Sequence, residues 1–414
     1  MSDIFDKCRT DGGSFGAFRV SRDTYFTQPV LEGAPGPRMR FRGREVIVWA
    51  INNYLGIAGM PEVQAAAAEA LARYGPSAPM GSRMLTGNTE EHIALERKLA
   101  AFTGKQASIV FNYGYLGVLG SIAALVGRDD IVVIDSLSHA SMIDAAVLAS
   151  AGRRFHPFKH NDMDDLEAHL RKAGKDRTGG ILIVTEGVFG MKGTCARLGD
   201  ICTLKEHHGA RLFVDDAHGF GVMGKSGRGT GEHLGVQERI DLYFGTFAKA
   251  FAAIGGVTAG DEEVVEWIRY NARTNVFAKA LPLVYVKTVE KTLSIVESEP
   301  VLREKMWHVA RLLQTGLVEL GYDIGETESP ITPVYVISGE EKTAMEMITM
   351  LREEYGVFVS GVTFPVVPRG VILFRMIPTA AHSEEDVEKT VSAFRRMRDR
   401  LKLDLSTRPS RQNR

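Results

Sequence analysis

The sequence predicts an α/β fold, with a mostly parallel sheet as its centre and a second, smaller α/β domain after it. Two observations carry that prediction. Five short apolar runs, QASIVF, DIVVID, GILIVTE, ARLFVDD and DLYFGTF, are rich in Val, Ile and Phe and too short for core helices, as strands buried on both faces are. They alternate with helical or loop segments, as the crossovers of a parallel sheet require.

Taken in order, the segment up to about Arg44 is mixed and Gly-rich and has little periodicity. From Pro61 to Tyr74 the run PEVQAAAAEALARY combines strong helix formers with a leading proline, so it predicts a helix. A Gly/Pro-punctuated loop comes next, GPSAPMGSRMLTGN, and then a second helix from about Thr89 to Thr103. The five strands succeed it. Beyond about Val257 long amphipathic helices run from Glu262 to Gly321, and after them a βαβ-like stretch: PITPVYVI, a helix from Lys342 to Tyr355, and GVILFRMI. A helix from Ser383 to about Leu401 ends the fold. The expected division is an N-terminal segment 1–58, a large domain 59–290, a small C-terminal domain 291–404 and a polar, basic tail 405–414 expected to be disordered.

The bulk numbers narrow the function. With 414 residues the chain has room for one large core and one smaller one. Fifty basic residues against 51 acidic ones, net −1, give no global field for nucleic acid. The longest apolar stretches, such as Leu116 to Gly127, fall short of the ~20 residues that span a bilayer. No charged-then-apolar leader opens the chain. Cys8, Cys195 and Cys202 have no metal spacing and make too few pairs for a disulfide framework, so a reduced, cytoplasmic setting is the expectation. His207-His208 lacks a third ligand, so no metal site is expected. The glycine-rich GFGVMGKSGRG lacks the spacing of a nucleotide loop and suggests a mobile loop near the site instead.

Ligands of open α/β sheets sit beyond the carboxyl ends of the strands. Just past the predicted strands stand Gly114-Tyr115 at a helix start, His139 in SHAS, Asp215 and His218 in DDAHG, and Thr246 and Lys249 in GTFAK. That set suits pyridoxal 5'-phosphate. Its aldehyde needs a lysine, its ring nitrogen a carboxylate, its phosphate a helix N-terminus and a hydroxyl, and its ring a flat neighbour. Lys249 would supply the amine, Asp215 the carboxylate and His139 the plane, with Gly114, Tyr115 and Thr246 around the phosphate.

Several motifs in order, NNYLG, GSRMLTG, SHAS, EGVFGMKG, VDDAHGFGVMG, GRG, GTFAKA and PVVPRG, cover about Asn52 to His382. On these the chain resembles the α-oxoamine synthases, fold-type I pyridoxal-phosphate enzymes. GSRMLTG, NART and ESPITPVYV resemble the bacterial serine palmitoyltransferase branch, whereas PVVPRG resembles 2-amino-3-ketobutyrate CoA ligase. The resemblance implies a fold-type I transferase with a seven-stranded sheet, working as a homodimer with its active site at the subunit interface. It implies that Lys249 forms the Schiff base and removes the amino acid's α-proton, and that Asp215 holds the pyridinium proton. By the same likeness His218 bonds the phenolic oxygen, His139 stacks on the ring, and Arg375 and Asn53 bind substrate. The implied reaction joins an amino acid, L-serine first, to a long-chain acyl-CoA with loss of carbon dioxide, the opening step of sphingolipid synthesis. Glycine, alanine or cysteate are the alternatives, and an aminotransferase or an inactive partner subunit the more distant ones. A long-chain donor leaves peripheral membrane contact open, without any anchor in the sequence.

Three positions depart from the family pattern. Ala248 stands where a serine precedes the lysine, and Gly190 where SM-x-G has its serine. Ala278 occupies the Phe-Ser/Thr element that a second subunit brings to the cofactor. Lys279, beside Ala278, is a candidate phosphate counter-charge in place of one lost hydroxyl.

Overall fold

A computed structural model describes residues 3–13, 16–21, 27–150, 155–176, 178–336, 339–364 and 366–405. The chain forms two compact units, one of residues 57–189 and 194–303, the other of residues 1–56, 190–193 and 304–414. The larger unit begins at 57 and ends at 303, against 59 and 290 read from the sequence. The N-terminal segment and the C-terminal region make one body, because Val357–Phe358 pairs in parallel with the strand Arg44–Val48. A partner some 300 residues away leaves no local signature.

The 57–303 unit is built on a seven-stranded sheet. Its order is Ala107–Phe111, Gly256–Gly260, Leu242–Thr246, Arg211–Asp215, Ile181–Glu186, Ile131–Asp135 and Phe155–Phe158. Gly256–Gly260 runs antiparallel to both of its neighbours, and the other six strands share one direction. All five expected strands are present. Their side chains fill the core with Ile109, Val132, Ile134, Val184, Phe213 and Phe244. Two strands escape a reading by apolar runs. Phe155–Phe158 is an edge strand, FHPF, where a proline is tolerated because one side of the ladder has no partner to serve. Gly256–Gly260, GVTAG, carries little apolar surface, and a Cβ on Gly256 would lie 2.7 Å from the Phe244 ring, so glycine there is a packing requirement.

The two early helices are found at Pro61–Tyr74 and Glu90–Thr103, the second capped by the Thr89 side chain. Arg83, from the GSRMLTG motif, is buried and meets Glu96 through both terminal guanidinium nitrogens, at 2.8 and 3.0 Å. Glu96 also accepts the Val110 N–H at 3.0 Å, so this arginine ties its loop to helix and strand.

In the other unit, a four-stranded sheet joins Leu31–Glu32, Arg38–Phe41, Arg44–Val48 and Val357–Phe358. A three-stranded antiparallel sheet joins Thr332–Tyr335, Leu373–Met376 and Ser360–Val362. The βαβ-like expectation is therefore corrected. After the helix Glu341–Thr349 and its π-helical continuation Met350–Glu354, the chain gives its next strand to the four-stranded sheet, then returns antiparallel. Trp49 stacks on His382 at 3.9 Å between ring centroids, and Ser383 and Asp386 form a capping box for Glu384–Leu401. The tail expected to be disordered lies, from residue 406 on, outside the described residues. Among the described residues no helix is long and apolar enough to cross a membrane.

Candidate active site

In the 57–303 unit the carboxyl ends of the strands collect the residues singled out from the sequence. Gly114 opens the helix Gly114–Leu125, and Tyr113, at its N-cap, places no side chain over the end, so the first amides stay available to an anion. A Cβ on Gly114 would stand 2.8 Å from Thr246 Oγ1. The helix start and the end of the strand Leu242–Thr246 therefore touch, and a hydroxyl sits at the mouth of the helix. Thr246 donates to Gly255 O at 3.1 Å and accepts the Ala248 N–H at 3.4 Å.

Lys249 is half-buried in a closed turn, with Ala252 N–H bonded to its carbonyl at 3.0 Å. Its ammonium acts on both Asp215 and His139. Burial raises Asp215 from 3.8 to about 6, against the pull of the Lys249 charge and of a hydrogen bond from Ala217 N–H at 3.1 Å. That is the one hydrogen bond this carboxylate takes among the described residues, which leaves acceptor capacity for a cation. Burial likewise lowers His139; Lys249 lowers it further, and Asp144 pulls the other way. His139 Nδ1 lies 3.3 Å from Ser141 N–H, which can only donate, so the neutral ring keeps its hydrogen on Nε2. Tyr115 meets the edge of the His139 ring, 6.5 Å between centroids at 76°, and its phenol donates to Asp144.

His218 is buried in the turn just past Asp215. The glycine-rich stretch after it, expected to be mobile, is instead bonded to itself: Gly221 N–H to Gly227 O at 2.8 Å and Gly229 N–H to Met223 O at 3.0 Å. Ala278 lies between Phe277, 73% exposed, and Lys279. Lys279 is bonded through its amine to Ser77, and its carbonyl accepts from Asn112. Those contacts account for its position within this chain.

In the other unit, Asn53 is buried and Arg375 is half-buried. Arg375 reaches Gly190 O at 3.3 Å and Asn52 Oδ1 at 3.4 Å, long bonds that hold its fork loosely. Asn52, adjacent to Asn53 in the same motif, is an asparagine on this guanidinium. Sequence reading also passed over Asp216, whose carboxylate organises the turn beside Asp215, and Asp144.

The set fits pyridoxal 5'-phosphate on its own chemistry. A half-buried amine lies in the field of an under-bonded buried carboxylate and of an imidazole with a fixed tautomer, and an open helix start abuts a hydroxyl.

The chain matches the family described as aminotransferase class I and II over residues 44–394. It is 46% identical over 404 residues to a cysteate-C-fatty acyltransferase of Capnocytophaga ochracea, covering 97% of this chain and 96% of that one. It is 40% identical over 374 residues to an 8-amino-7-oxononanoate synthase of Thermoanaerobacter pseudethanolicus, covering 90% and 93%. Among solved structures, a serine palmitoyltransferase from S. paucimobilis with a bound PLP–myriocin aldimine superposes with a TM-score of 0.89 at 30% identity, covering 97% of this chain and 100% of that one.

Proposed function

Because the chain belongs to the class I and II aminotransferase family, and within it to the α-oxoamine synthases, we propose that it condenses an L-amino acid with a long-chain acyl-CoA. Carbon dioxide and CoA leave, and an α-amino ketone remains. Pyridoxal 5'-phosphate is the cofactor of this acyltransferase, and when bound it supplies the electron sink for the α-carbanion. Every other part of the work falls to side chains of this chain. Lys249 would hold the cofactor through its amine, and the same amine would take the α-proton. Asp215 would keep the ring nitrogen protonated, with the acceptor capacity left beside its hydrogen bond from Ala217 N–H. His139 provides the flat neighbour and, through Nε2–H, a donor; His218 serves the phenolic oxygen. Gly114, Tyr115 and Thr246 receive the phosphate, with Ala278 approaching from a second copy. Arg375 and Asn53 bind the amino acid, the arginine by the fork that suits a carboxylate.

The single observation behind this reading is the meeting of Lys249, Asp215 and His139 in one electrostatic neighbourhood. For the amino acid we place L-cysteate first, because the 46% relative spans nearly the whole of both chains. L-serine is second, supported by GSRMLTG and by the serine palmitoyltransferase likeness at 30% identity. The test offers cysteate, serine, glycine and alanine separately with palmitoyl-CoA, monitoring CoA release and identifying the product by mass spectrometry. A sulfonated amino ketone supports the first reading and an amino diol precursor the second. Turnover that needs a keto acid and frees no CoA would replace both with an aminotransferase.

A further inference from the structure

Two aspartates stand side by side at the end of the strand Arg211–Asp215, and the structure gives them different work. Among the described residues Asp215 takes one hydrogen bond. Asp216, wholly buried, accepts from Thr230 N–H at 2.6 Å, from Thr230 Oγ1–H at 2.6 Å and from the Tyr243 hydroxyl, whose one hydrogen it shares with Arg228 O, at 2.8 Å. Burial raises it from 3.8 to about 6, and these donors act against the rise.

The crowding around this carboxylate is unusually tight. A Cβ on Gly187 or on Gly219 would lie 2.1 Å from Asp216 Oδ1, and one on Gly229 would lie 2.1 Å from Oδ2. Three separate segments thus approach it by their backbones, and at each only glycine fits. Two of these segments, and the strand that carries Tyr243, lead to groups of the site. Gly187 bonds Asp215 O through its N–H at 2.9 Å; Gly219 comes directly after His218; Tyr243 lies on the strand that ends at Thr246, three residues before Lys249. Within the turn, Gly219 N–H and Phe220 N–H bond Asp216 O at 3.0 and 2.8 Å. The backbone of Asp216 therefore fixes the start of the turn, and its side chain fixes the turn's far end at Thr230.

We propose that Asp216 is a positioning residue for the cofactor pocket: by clamping Gly187, Gly219 and the Gly229-Thr230 pair, it sets where Asp215 and His218 stand. This rests on the reading of the pocket as a pyridoxal-phosphate site. Removing the carboxylate frees Gly219 to shift, and His218 moves with it. An asparagine keeps the clamp, because its oxygen can serve Thr230 N–H and Tyr243 while its amide donates to a rotated Thr230 hydroxyl.

The test uses the full chain as D216A, D216N, Y243F and T230V, with His218→Asn for comparison. Two quantities are read well below each variant's melting temperature: the affinity of the cofactor-free chain for pyridoxal 5'-phosphate by absorbance titration, and the pH titration of the bound cofactor's absorbance. D216A is expected to bind about tenfold or more weakly, as the loss of several buried hydrogen bonds implies. Its spectral titration should move in the direction that H218N moves it, and D216N should return both readings close to wild type. Where D216A fails to fold, Y243F and T230V are expected to show the same shifts in smaller measure. A D216A or T230V chain that melts lower, yet binds and titrates as wild type does, overturns the proposal and leaves the pocket reading standing. A wild-type chain that never develops cofactor absorbance overturns both.

Discussion

At the scale of single residues, the burial of Asp215 sets function against stability. An aspartate that titrates near 3.8 when unfolded and at about 6 when folded binds its proton more tightly in the native state. Its contribution is therefore fully favourable below about pH 3.8 and is lost as pH rises through 6, where the fold must hold a buried charge; two units amount to about 3 kcal/mol. Asp215→Asn removes that penalty. The cofactor-free variant should melt higher than wild type at pH 8 and alike at pH 4, while the loaded variant loses turnover by about 10²- to 10⁴-fold. Scanning calorimetry of the cofactor-free proteins across that range checks the sign, and equal melting temperatures at pH 8 would refute it. Lys249→Ala is the companion experiment, expected to abolish the borohydride-reducible absorbance together with turnover. Lys249, Asp215 and His139 were legible in the sequence because each sits just past a recognisable strand end. Asp216 was not, since adjacent acidic residues look alike in sequence, and only the folded turn brings Thr230 and Tyr243 onto one of them.

Elements were legible where side chains carried the signal. Arg211–Asp215 and Ile181–Glu186 announce themselves through buried Val, Ile, Leu and Phe. Gly256–Gly260 does not, because its role is to leave room for Phe244 and so it contributes almost no apolar surface of its own. The meeting of the helix start at Gly114 with Thr246 belongs to this scale as well, and it can be tested by one methyl group. Ala at 114 would ordinarily favour a helix by about 0.5–1 kcal/mol. Here its Cβ would stand 2.8 Å from Thr246 Oγ1, so the helix start or the threonine must give way. Gly114→Ala should therefore weaken cofactor binding about tenfold with little change in melting temperature. A titration matching wild type would mean the contact relaxes without moving the phosphate cradle.

At the scale of the whole molecule, the least legible feature was which distant segments share a body, since the pairing of Val357–Phe358 with Arg44–Val48 rests on backbone bonds that no local pattern encodes. An exposed apolar group bears on assembly. Met80, Leu85 and Phe277 are 80%, 83% and 73% exposed. They belong to neighbouring loops, joined by the bond from Ala280 N–H to Gly81 O at 2.9 Å. Large apolar side chains grouped beside a candidate site are what a protein contact leaves when one copy is viewed alone. Each regains about 1.5–3 kcal/mol when covered, enough for three of them to contribute materially to association. Light scattering should find the wild-type chain as a dimer at micromolar concentration. Leu85→Asp with Phe277→Asp should shift it to monomer and remove turnover while the far-ultraviolet circular dichroism stays native. Turnover is lost because Ala278, next to Phe277, would no longer reach the neighbouring copy's phosphate. A wild-type monomer with full activity would end the shared-site reading while leaving the chemistry at Lys249 intact.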